Sequence, residues 1–150
     1  MLKVGDKAPD FEVKDDQGHT FHLSDLKGKT IVLYFYPKAD TPGCTKEACE
    51  FRDHATEYKH KNAAVVGVSP DQPSAQAKFK NKYELTFPLL ADEDHGIAEA
   101  YGVWKEKSNY GKKYMGVERT TYVIGPDGKI ARVFEKVKPE GHAEQVLAAL

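Results

Sequence analysis

Apolar residues gather into short runs separated by turn-forming clusters, and the spacing within each run decides between strand and helix. Ile31-Val32-Leu33-Tyr34-Phe35-Tyr36 is unbroken and ends at Pro37, the pattern of a central strand covered on both faces. Ala48, Phe51, Ala55 and Tyr58 then recur at three- and four-residue steps, which predicts one amphipathic helix reaching Tyr58. Ala63 to Val68 is a second buried strand and completes a β-α-β unit. Pro73 can open a further helix to Tyr83, followed by a strand over Phe87 to Leu90 and a helix from Asp94 to Tyr101. Asp15-Asp16-Gln17-Gly18 joins Phe11–Lys14 to Thr20–Leu23, and Gly125-Pro126-Asp127-Gly128 joins Thr120–Ile124 to Lys129–Phe134. Both read as hairpins. With a last helix over His142 to Leu150, the pattern predicts one α/β domain spanning 1–150. Its centre is a mixed β-sheet flanked by helices, with a β-hairpin at the N-terminus.

Composition narrows the partners. A chain of 150 residues with 40% hydrophobic content can bury a core without metals or disulfides. Lys and Arg number 22 against 23 Asp and Glu, so neither a nucleic acid nor a membrane surface is expected as a partner. No apolar run approaches a membrane span, and Met1 to Asp6 lacks the regions of a signal peptide. The expected location is the cytoplasm. There a permanent structural disulfide is not expected of the two cysteines, so any pairing between them belongs to a cycle.

Those two cysteines, Cys44 and Cys49, carry the candidate chemistry. Thr41 suits an N-cap and Pro42 the first helical position, which puts Cys44 about third in the helix. A sulfur there faces unpaired N–H groups at the positive end of the helix dipole, which favours its anion. Most free cysteines are buried and inert, but here the context adds weight. The segment follows the carboxyl end of a strand, the usual place for function in open α/β sheets. Thr41 adds a hydroxyl, Pro37 can shield the sulfur without a competing donor, and Arg119 is a candidate cation.

Bland readings fit the other polar clusters better. His54 and His60 share the predicted helix with the cysteines, but five-residue steps rotate side chains by about 140°, so they do not converge and no metal is expected. A Cys44–His142 hydrolase pair has no supporting motif. Lys105, Lys107, Lys112 and Lys113, with Tyr110 and Tyr114, read as a solvated loop with a possible use as a docking edge for a reductase.

Several segments together go further. Val4-Gly5-Asp6-Lys7-Ala8-Pro9-Asp10-Phe11 opens the chain, and Pro37, Thr41 and Cys44 fit the signature P-x-x-x-[ST]-x-x-C. Phe79, Thr86-Phe87-Pro88-Leu89-Leu90-Ala91-Asp92, Tyr101-Gly102-Val103-Trp104 and Arg119-Thr120-Thr121-Tyr122-Val123-Ile124 follow. This set resembles, over nearly the whole chain, the peroxiredoxins of the bacterioferritin comigratory protein type, also called the Q type. Tyr122 and Gly125 depart from residues common there, at positions without chemistry.

The resemblance implies a thioredoxin-like fold and a cofactor-free thiol peroxidase acting on hydrogen peroxide and organic hydroperoxides. It implies Cys44 as the peroxidatic cysteine, Cys49 as the resolving one, and Thr41, Pro37 and Arg119 in the site. Thr41 Oγ1, the Cys44 N–H and Arg119 are the expected donors to the developing oxyanion. Thioredoxin or a similar dithiol is the implied reductant, and a monomer is expected because both cysteines share one helix. A non-catalytic redox switch that binds a partner protein is the alternative. On an unbroken helix the two Cα atoms stand roughly 8.6 Å apart, beyond the reach of a disulfide. The first turns must therefore unwind before the bond closes.

Overall fold

The computed structural model describes residues 1–150. Its centre is a seven-stranded sheet built around β3 (Thr30–Phe35), which pairs in parallel with β4 (Ala63–Ser69) and antiparallel with β8 (Thr120–Ile124). On the β4 side follow β5 (Leu89–Ala91) and then the N-terminal hairpin, β1 (Glu12–Asp15) and β2 (Thr20–His22); β9 (Ile130–Phe134) closes the other edge. The strand order is therefore β2-β1-β5-β4-β3-β8-β9. The mixed sheet and the N-terminal hairpin agree with the expectation from the sequence.

Alternation along β3 separates two apolar clusters. Ile31, Leu33 and Phe35 face one cluster of 17 buried residues, which takes in Ile97 and Ala98 of α4 (Gly96–Ala100). Val32 and Tyr34, with Tyr36 just beyond, face the other. Against this second face pack α1 (Pro42–Asp53), α2 (Ala55–His60), α3 (Pro73–Tyr83) and α5 (His142–Ala148), through Ala48, Phe51, Tyr58, Phe79, Ala143 and Val146. Tyr34 stacks on Phe51 with ring centroids 4.7 Å apart, and Cys44 lies in the same cluster. The site thus rests on an aromatic floor at the carboxyl end of the central strand.

Two elements differ from the sequence reading. The helix expected to reach Tyr58 breaks at His54, which has φ −99° and ψ 13° and ends α1. The apolar spacing persists across the break, so periodicity gives no sign of it, while α2 lets Tyr58 donate to the Ala143 carbonyl at 2.5 Å. The lysine-rich stretch expected as a loop is a second sheet of two strands, β6 (Trp104–Asn109) and β7 (Lys112–Val117). Its tip places Tyr110 at φ 51° and Gly111 at φ 80°, the two positive values that a type I′ hairpin requires. Tyrosine at the first of them hides the turn from a search for Asn-Gly.

Gly67 on β4 faces Tyr34 across the parallel pair. A Cβ at Gly67 would lie 3.0 Å from Leu89 Cδ2 and 3.0 Å from the Tyr34 ring and hydroxyl. Gly67→Ala is expected to cost about 1–3 kcal/mol through overpacking. A urea-unfolding midpoint equal to that of the unaltered chain would show that the aromatic floor yields freely.

Candidate active site

Between β3 and α1 the chain makes a short loop whose backbone is tied down on both sides. Pro37 stands at its head, half-buried, ending β3 without an N–H to satisfy. The Ala39 N–H donates to Asp71 Oδ2 at 2.8 Å. That carboxylate is fixed in turn by the Ser69 hydroxyl at 2.6 Å, and Ser69 Oγ accepts from Gln76 Nε2 at 2.7 Å. Asp40 adopts a left-handed φ of 58°. Its carboxylate takes the Lys82 ammonium at 2.9 Å and the Tyr83 hydroxyl at 2.8 Å, which holds this uncommon conformation. An anion held beside a cation and a hydroxyl donor keeps the Asp40 carboxyl below its ordinary pKa.

Thr41 caps α1 with extended backbone, Pro42 takes the first helical position, and Cys44 falls third, as the sequence predicts. The cap works differently from expectation. Thr41 Oγ1 makes no bond to the helix N–H groups; it donates to the Lys38 carbonyl at 2.7 Å. Because a carbonyl can only accept, the hydroxyl proton is committed there and the oxygen offers a lone pair. The Cys44 N–H belongs to the first helical turn, whose amides have no intrahelical partner.

Cys44 is buried at 1% exposure, whereas Cys49 is half-buried, and both are free thiols. Arg119 precedes β8 and brings its Nη2 to 3.4 Å from Cys44 Sγ. Gly43 permits that approach, since a Cβ there would meet Nη2 at 3.2 Å. The other guanidinium nitrogen, Nη1, donates to Glu47 Oε1 at 2.7 Å. The structure therefore brings Thr41, Cys44 and Arg119 into one neighbourhood and leaves Cys49 on a different face of α1.

Glu47 is the residue that the sequence reading missed. Its only signal is a charged residue on the helix face of Cys44, Ala48 and Phe51. It is 1% exposed, and its Oε2 is buried without a partner. Burial raises its pKa to about 7 against the opposing pull of Arg119. His142 performs no such role. Its Nε2 meets Thr121 Oγ1 at 2.7 Å and its Nδ1 meets Gln145 at 3.0 Å, so both ring nitrogens are engaged, and burial lowers its pKa. His54 is bound to Glu57 at 2.8 Å.

Known proteins resemble this chain in sequence and in fold. Residues 4–133 match the AhpC/TSA family. The chain is 50% identical over 149 residues to peroxiredoxin Bcp of Bacillus subtilis, covering 99% of this chain and 95% of that one. It is 46% identical over 146 residues to peroxiredoxin Bcp of Escherichia coli, covering 97% and 94%. Among solved structures, a mutant of Xylella fastidiosa PrxQ superposes with a TM-score of 0.94 at 36% identity, covering 99% of this chain and 95% of that one. The fold is thioredoxin-like.

The raised pKa of Glu47 makes stability depend on pH. Its folded value, about 7, exceeds the ordinary 4.5, so the folded chain holds the proton more tightly than the unfolded one. The resulting stabilisation is complete below pH 4.5 and is lost as pH rises to about 7, at roughly 1.4 kcal/mol for each pH unit between the two values. Glu47→Gln is expected to remove that decline, read as urea midpoints across the interval. Parallel curves for both proteins would show that Glu47 titrates normally.

Proposed function

The chain belongs to the AhpC/TSA family and is a peroxiredoxin, a peroxidase of the oxidoreductase class, and on that premise we propose that Cys44 is its peroxidatic cysteine and Cys49 its resolving cysteine. The observation that carries this reading is the Arg119 guanidinium, 3.4 Å from a buried sulfur in the first turn of a helix. The cation and the unpaired amides of the helix end place positive charge beside that sulfur.

The Cys44 thiolate attacks the near oxygen of a peroxide ROOH, the O–O bond breaks, and the products are Cys44–SOH and RO⁻, which takes up a proton as ROH. Charge grows on the departing oxygen, and donors already aimed at it lower the barrier without reorganising. Arg119 and the Cys44 N–H are those donors. Thr41, with its proton committed to Lys38, instead accepts the peroxide O–H and so orients the oxygen under attack. Pro37 helps keep water from the sulfur. Cys49 then displaces water from Cys44–SOH, forming Cys44–S–S–Cys49 before further oxidation can trap the sulfur. Thioredoxin or a similar dithiol restores both thiols by exchange.

Hydrogen peroxide and organic hydroperoxides are the substrates in this reading. Residues 1–150 act as one catalytic domain, a monomer in the cytoplasm with no cofactor, metal or nucleic acid. No helix is long and apolar enough to cross a membrane. The alternative, a redox switch without turnover, shares the activated thiol and does not need Arg119. Peroxide consumption coupled to oxidation of thioredoxin separates the two.

Cys44→Ser is expected to abolish peroxide reduction, whereas Cys49→Ser reacts once and stops as the sulfenic acid, with thioredoxin as reductant and the adducts weighed by mass. The reverse pattern would exchange the two roles. Arg119→Ala is expected to slow the first reaction by about a hundredfold, the scale for losing one preorganised donor to an oxyanion. An unchanged rate would remove Arg119 from the site.

A further inference from the structure

Both ends of α1 are bound to one residue at the end of α3. On the near side, the Tyr83 hydroxyl donates to Asp40 Oδ1 at 2.8 Å, and the neighbouring Lys82 donates to Asp40 Oδ2 at 2.9 Å. On the far side, the Tyr83 carbonyl accepts from Arg52 Nη1 at 2.6 Å. The rest of the guanidinium fork is fixed by Asp53 Oδ1, at 3.0 Å from Nε and 2.9 Å from Nη2. Tyr83 is itself held edge-on against buried Phe79, with centroids 5.6 Å apart. Asp40 and Arg52 thus flank residues 41–51, the span that holds both cysteines.

Inside that span the helix is held by different partners. Glu47 bonds to Arg119 and Glu50 accepts the Gly141 N–H at 2.8 Å. Melting the first turns breaks these bonds and leaves the two anchors on Tyr83 untouched. We propose that Tyr83 and Arg52 form a bracket that confines the unwinding to residues 41–51, with Arg52 the positioning residue that keeps Cys49 in place while Cys44 swings to it. The proposal rests on the reading of Cys49 as the resolving cysteine. With Arg52 fixed, Cys49 is tethered by three residues and can move no more than about 10 Å from the anchor. If the anchor is lost, melting can run on towards α2, Cys49 gains conformations that point away from Cys44, and the two sulfurs meet less often. Arg52 takes no part in peroxide attack; its effect falls on the step Cys44–SOH + Cys49–SH → Cys44–S–S–Cys49 + H₂O.

The test separates the two half-reactions by rapid mixing with one equivalent of peroxide, quenching, and mass measurement of sulfenic acid and disulfide. In Arg52→Met the oxidation of Cys44 is expected to stay within about twofold, while disulfide formation slows about tenfold, the factor for about 1.4 kcal/mol from a lost charge-assisted hydrogen bond. Arg52→Lys, whose ammonium can still bond a carbonyl, is expected to recover most of the rate. Amide exchange of the oxidised proteins supplies the second readout: 53–60 stay protected in the unaltered chain and exchange in Arg52→Met. Tyr83→Phe, which keeps the carbonyl and removes the hydroxyl, is expected to loosen 37–41 alone. The bracket is overturned if Arg52→Met forms disulfide at the normal rate with 53–60 still protected, or if both half-reactions slow together. Absence of a Cys44–Cys49 disulfide in the unaltered chain would instead remove the reading of Cys49, and the bracket with it.

Discussion

One buried guanidinium sets the terms for everything around it. Arg119 is shared between the Glu47 carboxylate and the Cys44 sulfur, and its own side chain is 16% exposed. A cation withdrawn from water needs anionic partners, and here two groups that can each carry a negative charge compete for one positive charge. Burial pushes Glu47 towards its neutral form, which leaves the guanidinium freer to serve the sulfur. Both groups therefore meet at the one guanidinium that the proposed reaction needs beside Cys44.

That arrangement depends on a loop whose placement comes from far along the chain. Asp71 follows β4, Lys82 and Tyr83 end α3, and Arg119 enters from beyond β7, yet all four act on residues 39–47. Apart from Tyr83, each acts through a charged group fixed by hydrogen bonds, so the loop is held by directional contacts while the aromatic floor of Tyr34 and Phe51 supplies non-directional burial. The division suits the local unwinding proposed for α1. Directional bonds can be released locally, whereas Tyr34, held in the central strand, keeps its place.

The sequence showed the central strand, the β-α-β unit, both outer hairpins and the position of Cys44 third in its helix, because each is written in local periodicity or capping chemistry. Glu47 was hidden because its partner is 72 residues away, and nothing near it announces an ion pair. The direction of the Thr41 hydroxyl was equally hidden, since threonine at an N-cap usually turns its oxygen to the helix and here the Lys38 carbonyl takes the proton instead. The β6–β7 ribbon escaped because its residues are mostly polar, so the alternation that marks a strand is absent, and Tyr110 occupies a turn position that glycine or asparagine usually fills.

That ribbon also governs where the chain is open to cutting. It forms no ladder with the seven-stranded sheet, and its tip carries a fully exposed Tyr110 beside Lys112 and Lys113. A protease specific for basic residues would find exposed side chains there. A nick at that point would leave α1 in the first fragment and Arg119 in the second, joined through the paired strands β3 and β8. The Cys44 sulfur and the Arg119 guanidinium would then belong to separate chains, held together by the sheet and by the bonds of α1 and α2 to the segment around α5.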